Sequence, residues 1–526
     1  MRDGRPGVPN PLQTTDSSKK DSRPSAPGSL WPGLGGRTIP GRWNGDQWPS
    51  FVAALRGKGV LIHEGRPDTS IYVSDAGGLA HCLPHGVVRP SSAADISEVL
   101  KAAQMYEVPV TTRGGGLTTE GESVAFGGLL LDMSSMNRVI AVDTERMTVR
   151  TEAGIFWHQL AETLRRDGLD YLSAPLNLTS SVGGTLGVGG IDINSPRLGC
   201  SADQCMALEV VTPTGEIVEC SEAENPDLFE RVLLGYGQFG VITEATLKIR
   251  PFTPIIMKYF YYASLRTAME DLQFIAREDA ADYSGILTIM DKAINLLVAF
   301  DSDERGHEFN RRFRRHLRGH GEAYFGLRMA GHYLLRPWQF KEAAYLIGRR
   351  LKLFPEFSRP EYMHNGKITD RTVVFSRAVW KFWGGSTMVI PDLAASEEKF
   401  IEAVERGNAV CRKYFRHYTL YCVGIKLSGR KERYEMSCIP PDAQEIAFGC
   451  EFEPMLRETD HSRDYLQSFK NEIYDIGVDM GLSYYRFGGM MKGYIRKAFG
   501  DELVDRHYAM KLKADPAMVL NRDVIF

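Results

Sequence analysis

The tightest constraint on this chain is a pair of glycine clusters, Thr112-Arg-Gly-Gly-Gly116 and, further along, Val182-Gly-Gly-Thr-Leu-Gly-Val-Gly-Gly190. Glycines this dense between apolar runs give a backbone that reaches positive φ and brings bare N–H groups within hydrogen-bonding distance of a ligand. Such a backbone suits an anionic diphosphate. For either cluster alone, two ordinary Gly-rich turns are the alternative.

A chain of 526 residues exceeds one compact core, so more than one domain is expected. The net charge of -3 gives no reason to expect nucleic acid or an anionic membrane as partner, and leaves a small-molecule substrate. The eight cysteines form no CxxC pair, which suits reduced thiols. Among the twelve histidines there is no HExxH, and His81-Cys82-Leu-Pro-His85 has no second ligand cluster, so no metal is expected. The N-terminus shows no apolar signal core and no run approaches the ~20 apolar residues of a membrane span, from which a cytoplasmic location is expected. Asn177-Leu-Thr179 fits a glycosylation pattern that such a location leaves unused.

Residues 1–44 are rich in Pro, Gly, Ser and charge and read as a mobile tail. A first helix is expected between Asp46 and Leu61. Ser92 and Asp95 form a capping pattern ahead of a helix with Ile96, Val99, Leu100 and Ala103 on one face. The strand Val108–Thr112 then enters the first glycine cluster. Gly127–Met133 and Met147–Glu152 read as strands. Ala153-Gly154 opens a helix bearing Trp157, Leu160, Ala161 and Leu164, which Gly168 ends. Ala207–Thr212 and Glu216–Cys220 flank the turn Pro213-Thr-Gly215 as a hairpin. Asn225 caps a helix with Pro226 at its first position.

Gly235-Tyr-Gly-Gln-Phe-Gly240 matches GxGxxG, but a helix precedes it and the strand Val241–Ile249 follows, the reverse of a dinucleotide fingerprint. From about 253 to 470 the texture changes to aromatic-rich strands, with Tyr418–Leu427, Tyr434–Ile439 and Glu445–Phe452 as antiparallel neighbours. The basic region Arg305–Arg350 reads as surface helices. The last residues return to helix, stopped by Asp515-Pro516, with an apolar Val524-Ile-Phe526 suited to a core.

Together, Val87-Val-Arg-Pro-Ser-Ser-Ala-Ala-Asp95, Arg113-Gly-Gly-Gly116, Val182-Gly-Gly-Thr-Leu186, Glu209-Val-Val-Thr212, Gly237-Gln-Phe-Gly-Val-Ile-Thr243 and Lys513-Ala-Asp-Pro-Ala-Met-Val-Leu520 resemble the FAD-binding fold of the vanillyl-alcohol oxidase and p-cresol methylhydroxylase (PCMH) superfamily, and within it the cytokinin dehydrogenases. The resemblance covers about 85–252 and 484–526. It implies an α+β chain: a two-lobed PCMH-type flavin domain built from both chain ends (45–252 and 471–526), and a central α+β substrate domain (253–470) with an antiparallel sheet. It further implies that Thr112, Arg113, Gly114, Gly115, Gly116 and Thr118 hold the diphosphate. Ser181, Gly183, Gly184 and Ile191 would line the flavin, Val241 and Ile242 would meet the adenine side, and Tyr485 would lie near the ring.

Two departures from the family pattern bear on chemistry. Leu117 stands where cytokinin dehydrogenases carry the histidine bonded to flavin, so FAD is expected to be noncovalent. Leu176 stands where they carry the aspartate that takes the substrate proton, so cytokinin does not carry over as the substrate. Asp192, Tyr485 and Glu451 are the candidate replacement bases, against the readings that Asp192 caps a turn, Tyr485 only packs and Glu451 faces solvent. The expected function is an FAD-dependent dehydrogenase or oxidase of a small amine or alcohol. A flavin-dependent C=C reductase, as in the sterol Δ24-reductases that resemble this domain, and a non-redox flavoprotein such as a cyclase are the alternatives.

Overall fold

A computed structural model describes residues 45–253, 255–289, 293–320, 366–368, 389–427, 437, 439–454, 461–488, 491–522, 524 and 525. The tail 1–44, most of the expected strand Tyr434–Ile439 and the part of Arg305–Arg350 beyond residue 320 lie outside these. All described elements belong to one unit, Trp43–Phe526, of mixed α and β structure with three sheets.

The first sheet contains β1 (Ile62–Glu64), β2 (Gly86–Val88), β3 (Val110–Arg113) and β4 (Leu129–Asp132), in the order β1-β2-β4-β3. Strands β2 and β3 run parallel to β4, because the helix Ala93–Tyr106 carries the chain back between them. That helix starts as its sequence predicts: Ser92 Oγ accepts from the Asp95 N–H. The reciprocal bond goes one residue further out, from the Ser91 N–H to Asp95 Oδ2 at 2.8 Å. Ile96, Val99, Leu100 and Ala103 pack on Val88, Val110, Leu129 and Leu131, burying the helix's apolar stripe.

The second sheet contains β5 (Val139–Asp143), β6 (Thr148–Glu152), β7 (Leu169–Tyr171), β8 (Cys205–Val211), β9 (Ile217–Ser221) and β10 (Val241–Pro251). Its order is β5-β6-β10-β8-β9, with β7 beside β10. Gly215, at φ +87°, makes the tight β8–β9 turn. Two local expectations shift. The helix expected from Ala153 begins at Trp157, capped by Gln159 Oε1 on the Phe156 N–H at 3.0 Å. Gly154 instead packs against backbone, since a Cβ there would stand 1.8 Å from the Met133 carbonyl oxygen. Asn225 holds the capping position at φ +49° without a side-chain cap, and its Nδ2 donates to the Glu219 carbonyl.

The third sheet contains β11 (Ile255–Tyr262), β12 (Tyr283–Ile289), β13 (Ala293–Phe300), β14 (Gly366–Ile368), β15 (Asp392–Ser396), β16 (Tyr418–Lys426) and β17 (Ile446–Pro454). Its order is β14-β11-β13-β12-β16-β17-β15, antiparallel throughout. β16 and β17 are neighbours, as their sequences predict. Strand alternation gives this sheet two characters. Leu420, Cys422, Phe448, Cys450 and Phe452 pack under the helices Leu265–Arg277, Glu397–Tyr414 and Arg463–Met480. Tyr421 and Val423 point the other way, into a cluster that Leu176, Ile191 and Ile193 complete.

The C-terminal segment returns to the first sheet. The Val110 N–H donates to the Val519 carbonyl and the Asn521 N–H to the Val110 carbonyl, each at 2.8 Å. Val524 and Ile525 are buried. Among the described residues no helix is long and apolar enough to cross a membrane.

Candidate active site

At the end of β3 the chain turns through Gly114–Thr118. Gly114 sits so close to Ser181 that a Cβ would stand 2.0 Å from its Oγ. Gly116, at φ +65°, has the Arg113 guanidinium where a Cβ would be, at 2.3 Å. Arg113 Nη1 donates to the carbonyls of Ser74 (3.0 Å) and Ser123 (3.2 Å), closing the turn on itself. The N–H groups of Gly115, Gly116 and Leu117 meet no acceptor among the described residues. Asn521 fixes the base of the turn: its Oδ1 accepts from the Thr112 N–H at 2.9 Å and its Nδ2 donates to the Gly237 carbonyl at 2.8 Å.

The second glycine cluster is a short helix, Val182–Val188, not a loop. Ser181 Oγ accepts from the Gly184 N–H at 3.3 Å. Gly183 lets the helix press on Ala153, where an added Cβ would find Ala153 Cβ at 2.8 Å. Gly187 has open space where its side chain would be. Positive φ is confined to Gly189 and Gly190, where the chain leaves the helix.

Both clusters open on one cavity, and the expected cofactor residues come together there: Thr112, Arg113, Gly114, Gly115, Gly116, Leu117, Thr118, Ser181, Gly183, Gly184, Ile191, Val241, Ile242 and Tyr485 all line it. So does Leu176, an apolar wall where the family pattern has an acid. Of the candidate bases, Glu451 and Tyr485 line the cavity and Asp192 does not. Asp192 belongs to a turn through its backbone, its carbonyl accepting from the Ser195 N–H at 2.9 Å and its N–H donating to Ser195 Oγ at 3.0 Å. Its Oδ1 is buried without a partner among the described residues, and burial pushes the carboxyl up to about 7. Tyr485 is bonded at three points. Its hydroxyl accepts from the Gly190 N–H (3.1 Å), its N–H donates to Asp392 Oδ1 (2.5 Å), and its carbonyl accepts from the Tyr236 hydroxyl (3.0 Å).

Glu451 does not face bulk solvent. Arg486 Nη2 donates to its Oε1 at 2.5 Å, and Arg486 Nη1 to Asp392 Oδ2 at 3.0 Å. Burial works against the charged guanidinium, but Glu451 and Asp392 outweigh it and hold Arg486 ionised. Glu453 is driven well above the usual carboxylate range by burial and by Glu451. On the cradle side, burial with Asp75 and Glu120 nearby pushes the cavity-lining Glu122 up to about 8.

Sequence reasoning missed Asp392, Arg486, Tyr421, Glu453 and Asn521. One row of the third sheet unites three chain segments, Tyr421 on β16 opposite Glu451 on β17 opposite Asp392 on β15. A lone acid in the apolar run Val389–Ala395 was the one available signal, and it says nothing of partners. Tyr421 lines the cavity but is 7% exposed, and its hydroxyl is buried with no hydrogen-bond partner among the described residues. Burial, then the nearby Asp192 and Glu451, hold it protonated.

Residues 84–221 match the protein family described as FAD binding domain, and this part of the chain is an FAD-binding domain of the PCMH type. The chain is 35% identical over 205 residues to an uncharacterized oxidoreductase of the fasciation locus of Rhodococcoides fascians, covering 38% of this chain and 45% of that protein. It is 35% identical over 199 residues to cytokinin dehydrogenase 10 of Oryza sativa subsp. japonica, 36% of each chain. It is also 35% identical over 174 residues to the mitochondrial D-lactate dehydrogenase (cytochrome) of Arabidopsis thaliana, 32% of this chain and 30% of that protein. The matched stretches span less than half the length of these relatives.

Proposed function

We propose that the chain is an FAD-dependent oxidoreductase in which a small organic amine or alcohol gives up hydride to noncovalently bound FAD. The observation that carries this reading is the continuity of one cavity from a glycine cradle with unsatisfied N–H groups to a wall of ionisable side chains. The residues present fit the cofactor. Gly115, Gly116 and Leu117 line the cavity with N–H groups that meet no acceptor among the described residues, and Gly187 leaves a face that a side chain would fill. Asn521 ties the cradle to the C-terminal segment, in keeping with a flavin domain built from both chain ends.

When bound, FAD would supply the two-electron acceptor for a hydride. Thr112–Thr118 would hold its diphosphate, Val241 and Ile242 would meet the adenine side, and Ser181–Gly184 with Ile191 would line the ring. Leu117 offers no nucleophile, so no covalent link forms. Glu451, paired with Arg486, is the cavity-facing group suited to take the proton from the substrate heteroatom. Asp192 does not line the cavity and is left to its turn with Ser195. Tyr485, fixed at three points, orients the wall.

The test is an anaerobic titration of the flavin-loaded protein with amines, alcohols and cytokinins, following the visible flavin band. Bleaching by one class supports the reading and names the substrate. A flavin-loaded protein that oxidises NAD(P)H with an alkene acceptor, or turns substrate over without bleaching, overturns it.

A further inference from the structure

The loop that continues the first glycine turn gathers acids beside a cradle built for an anion. The Glu120 N–H donates to Glu122 Oε2 at 2.8 Å, while the Gly121 N–H and the Thr118 hydroxyl donate to Asp75 Oδ2 at 2.9 and 3.0 Å. Asp75, Glu120 and Glu122 make one ion pair among the described residues, that of Lys470 with Glu120, to which the Tyr474 hydroxyl also donates. The next acid, Asp392 on β15, accepts from Arg486 and from the Tyr485 N–H. Glu122 lines the cavity, whereas Asp75 and Glu120 do not. It is 9% exposed, and its Oε1 meets no donor among the described residues. Arg113 joins this acid to the acceptor-free N–H groups, since its Nη2 lies beside Gly116 and its Nη1 donates to the carbonyl of Ser123, the residue after Glu122.

A carboxylate facing a bound diphosphate repels it, whereas a neutral acid donates a hydrogen bond to it. We propose that Glu122 meets the diphosphate of FAD as a neutral acid, its O–H donating to a phosphate oxygen, so that FAD binding above neutral pH takes up a proton from solvent. This rests on the noncovalent flavin reading above. Burial, then Asp75 and Glu120, raise the Glu122 carboxyl to about 8, and burial raises that of Asp75 to about 6. An acid that must be neutral to bind leaves FAD affinity intact below its own value. Affinity is then lost as pH rises through 8, approaching about tenfold per pH unit.

The experiment takes the full chain, freed of flavin, and titrates it with FAD by calorimetry between pH 7 and 9, where the diphosphate keeps a constant charge. Affinity should fall about tenfold over this range. Heats measured in two buffers of different ionisation enthalpy should report a net proton uptake that grows from pH 7 to 9. ADP-ribose, which carries the same diphosphate without the ring, should compete with FAD and lose affinity with the same slope. Glu122→Gln, neutral at every pH, should flatten the slope and abolish the uptake, while Asp192→Asn, away from the cavity, should keep both. Circular dichroism establishes that each variant is folded, and the proton uptake of the parent decides the matter if Glu122→Gln is not. An affinity indifferent to pH, a parent that takes up no proton, or a Glu122→Gln variant that keeps the parent's slope overturns the proposal. A chain that binds FAD with this slope but is bleached by no substrate keeps the proton linkage and loses the oxidoreductase reading. A chain bleached by substrate whose FAD affinity ignores pH does the reverse.

Discussion

Replacing Lys470 by methionine should damage this protein more than any change at its surface. Lys470 Nζ lies 2.5 Å from Glu120 Oε2, both side chains are fully buried, and the Tyr474 hydroxyl donates to Glu120 Oε1 at 2.9 Å. Removing the ammonium leaves a buried carboxylate with one neutral donor, a situation that costs about 3–5 kcal/mol. The loss cannot relax into empty space. A Cβ on Gly488 would stand 2.4 Å from the Glu120 carbonyl oxygen, so the segments are already in contact. The change would also reach the cofactor cradle. The Glu120 N–H holds Glu122, the Gly121 N–H holds Asp75, and Asp75 accepts from the Thr118 hydroxyl at 3.0 Å. Urea unfolding followed by tryptophan fluorescence should therefore show the ~3–5 kcal/mol loss, together with weaker flavin retention. Glu120→Leu combined with Lys470→Met should recover most of it, because an apolar pair of similar volume has no charge to desolvate. A single-variant loss below about 1 kcal/mol, or a double variant no better than the single, would refute the assignment of stability to this ion pair.

Three further outcomes follow from the site. Gly116→Ala forces a side chain into left-handed backbone, at about 1–2 kcal/mol, and onto the Arg113 guanidinium; the flavin-to-protein absorbance ratio should fall, and an unchanged ratio would argue against the cradle. Acid precipitation should leave the yellow colour in the supernatant, since Leu117 offers no covalent link; colour retained in the pellet would contradict the noncovalent reading. Burial raises the Asp192 carboxyl to about 7, so the folded state binds a proton that the unfolded state releases near 4. Its contribution is full below that value and is lost as pH rises through 7. Asp192→Asn should flatten the stability profile between pH 4 and 8 and gain on the parent at pH 8, and parallel profiles in thermal unfolding would count against it.

Much of the local structure was legible in the chain itself. Ser92 starts its helix, Gly215 turns its hairpin, and Gly235–Gly240 joins a helix to β10 rather than a strand to a helix, because caps, turns and φ preferences depend on a few neighbouring residues. The glycine clusters announced close approach, and the first is a turn with acceptor-free N–H groups. For the second, glycine density alone could not separate loop from helix. Ser181 as cap and contact with Ala153 made it a helix, and those partners come from packing.

The polar wall was decided elsewhere. Thr112 and Asn521 stand 409 residues apart, and Arg486 reaches strands that begin at Asp392 and Ile446. No short-range preference encodes such meetings. They follow from strand register, since a shift of one residue in β17 would turn Glu451 to the other face of the sheet. Local chemistry set where this chain could bend and which residue types it carried. Which of them share a cavity was set by the fold, because pairing across a sheet follows the burial of whole faces and not neighbours along the chain.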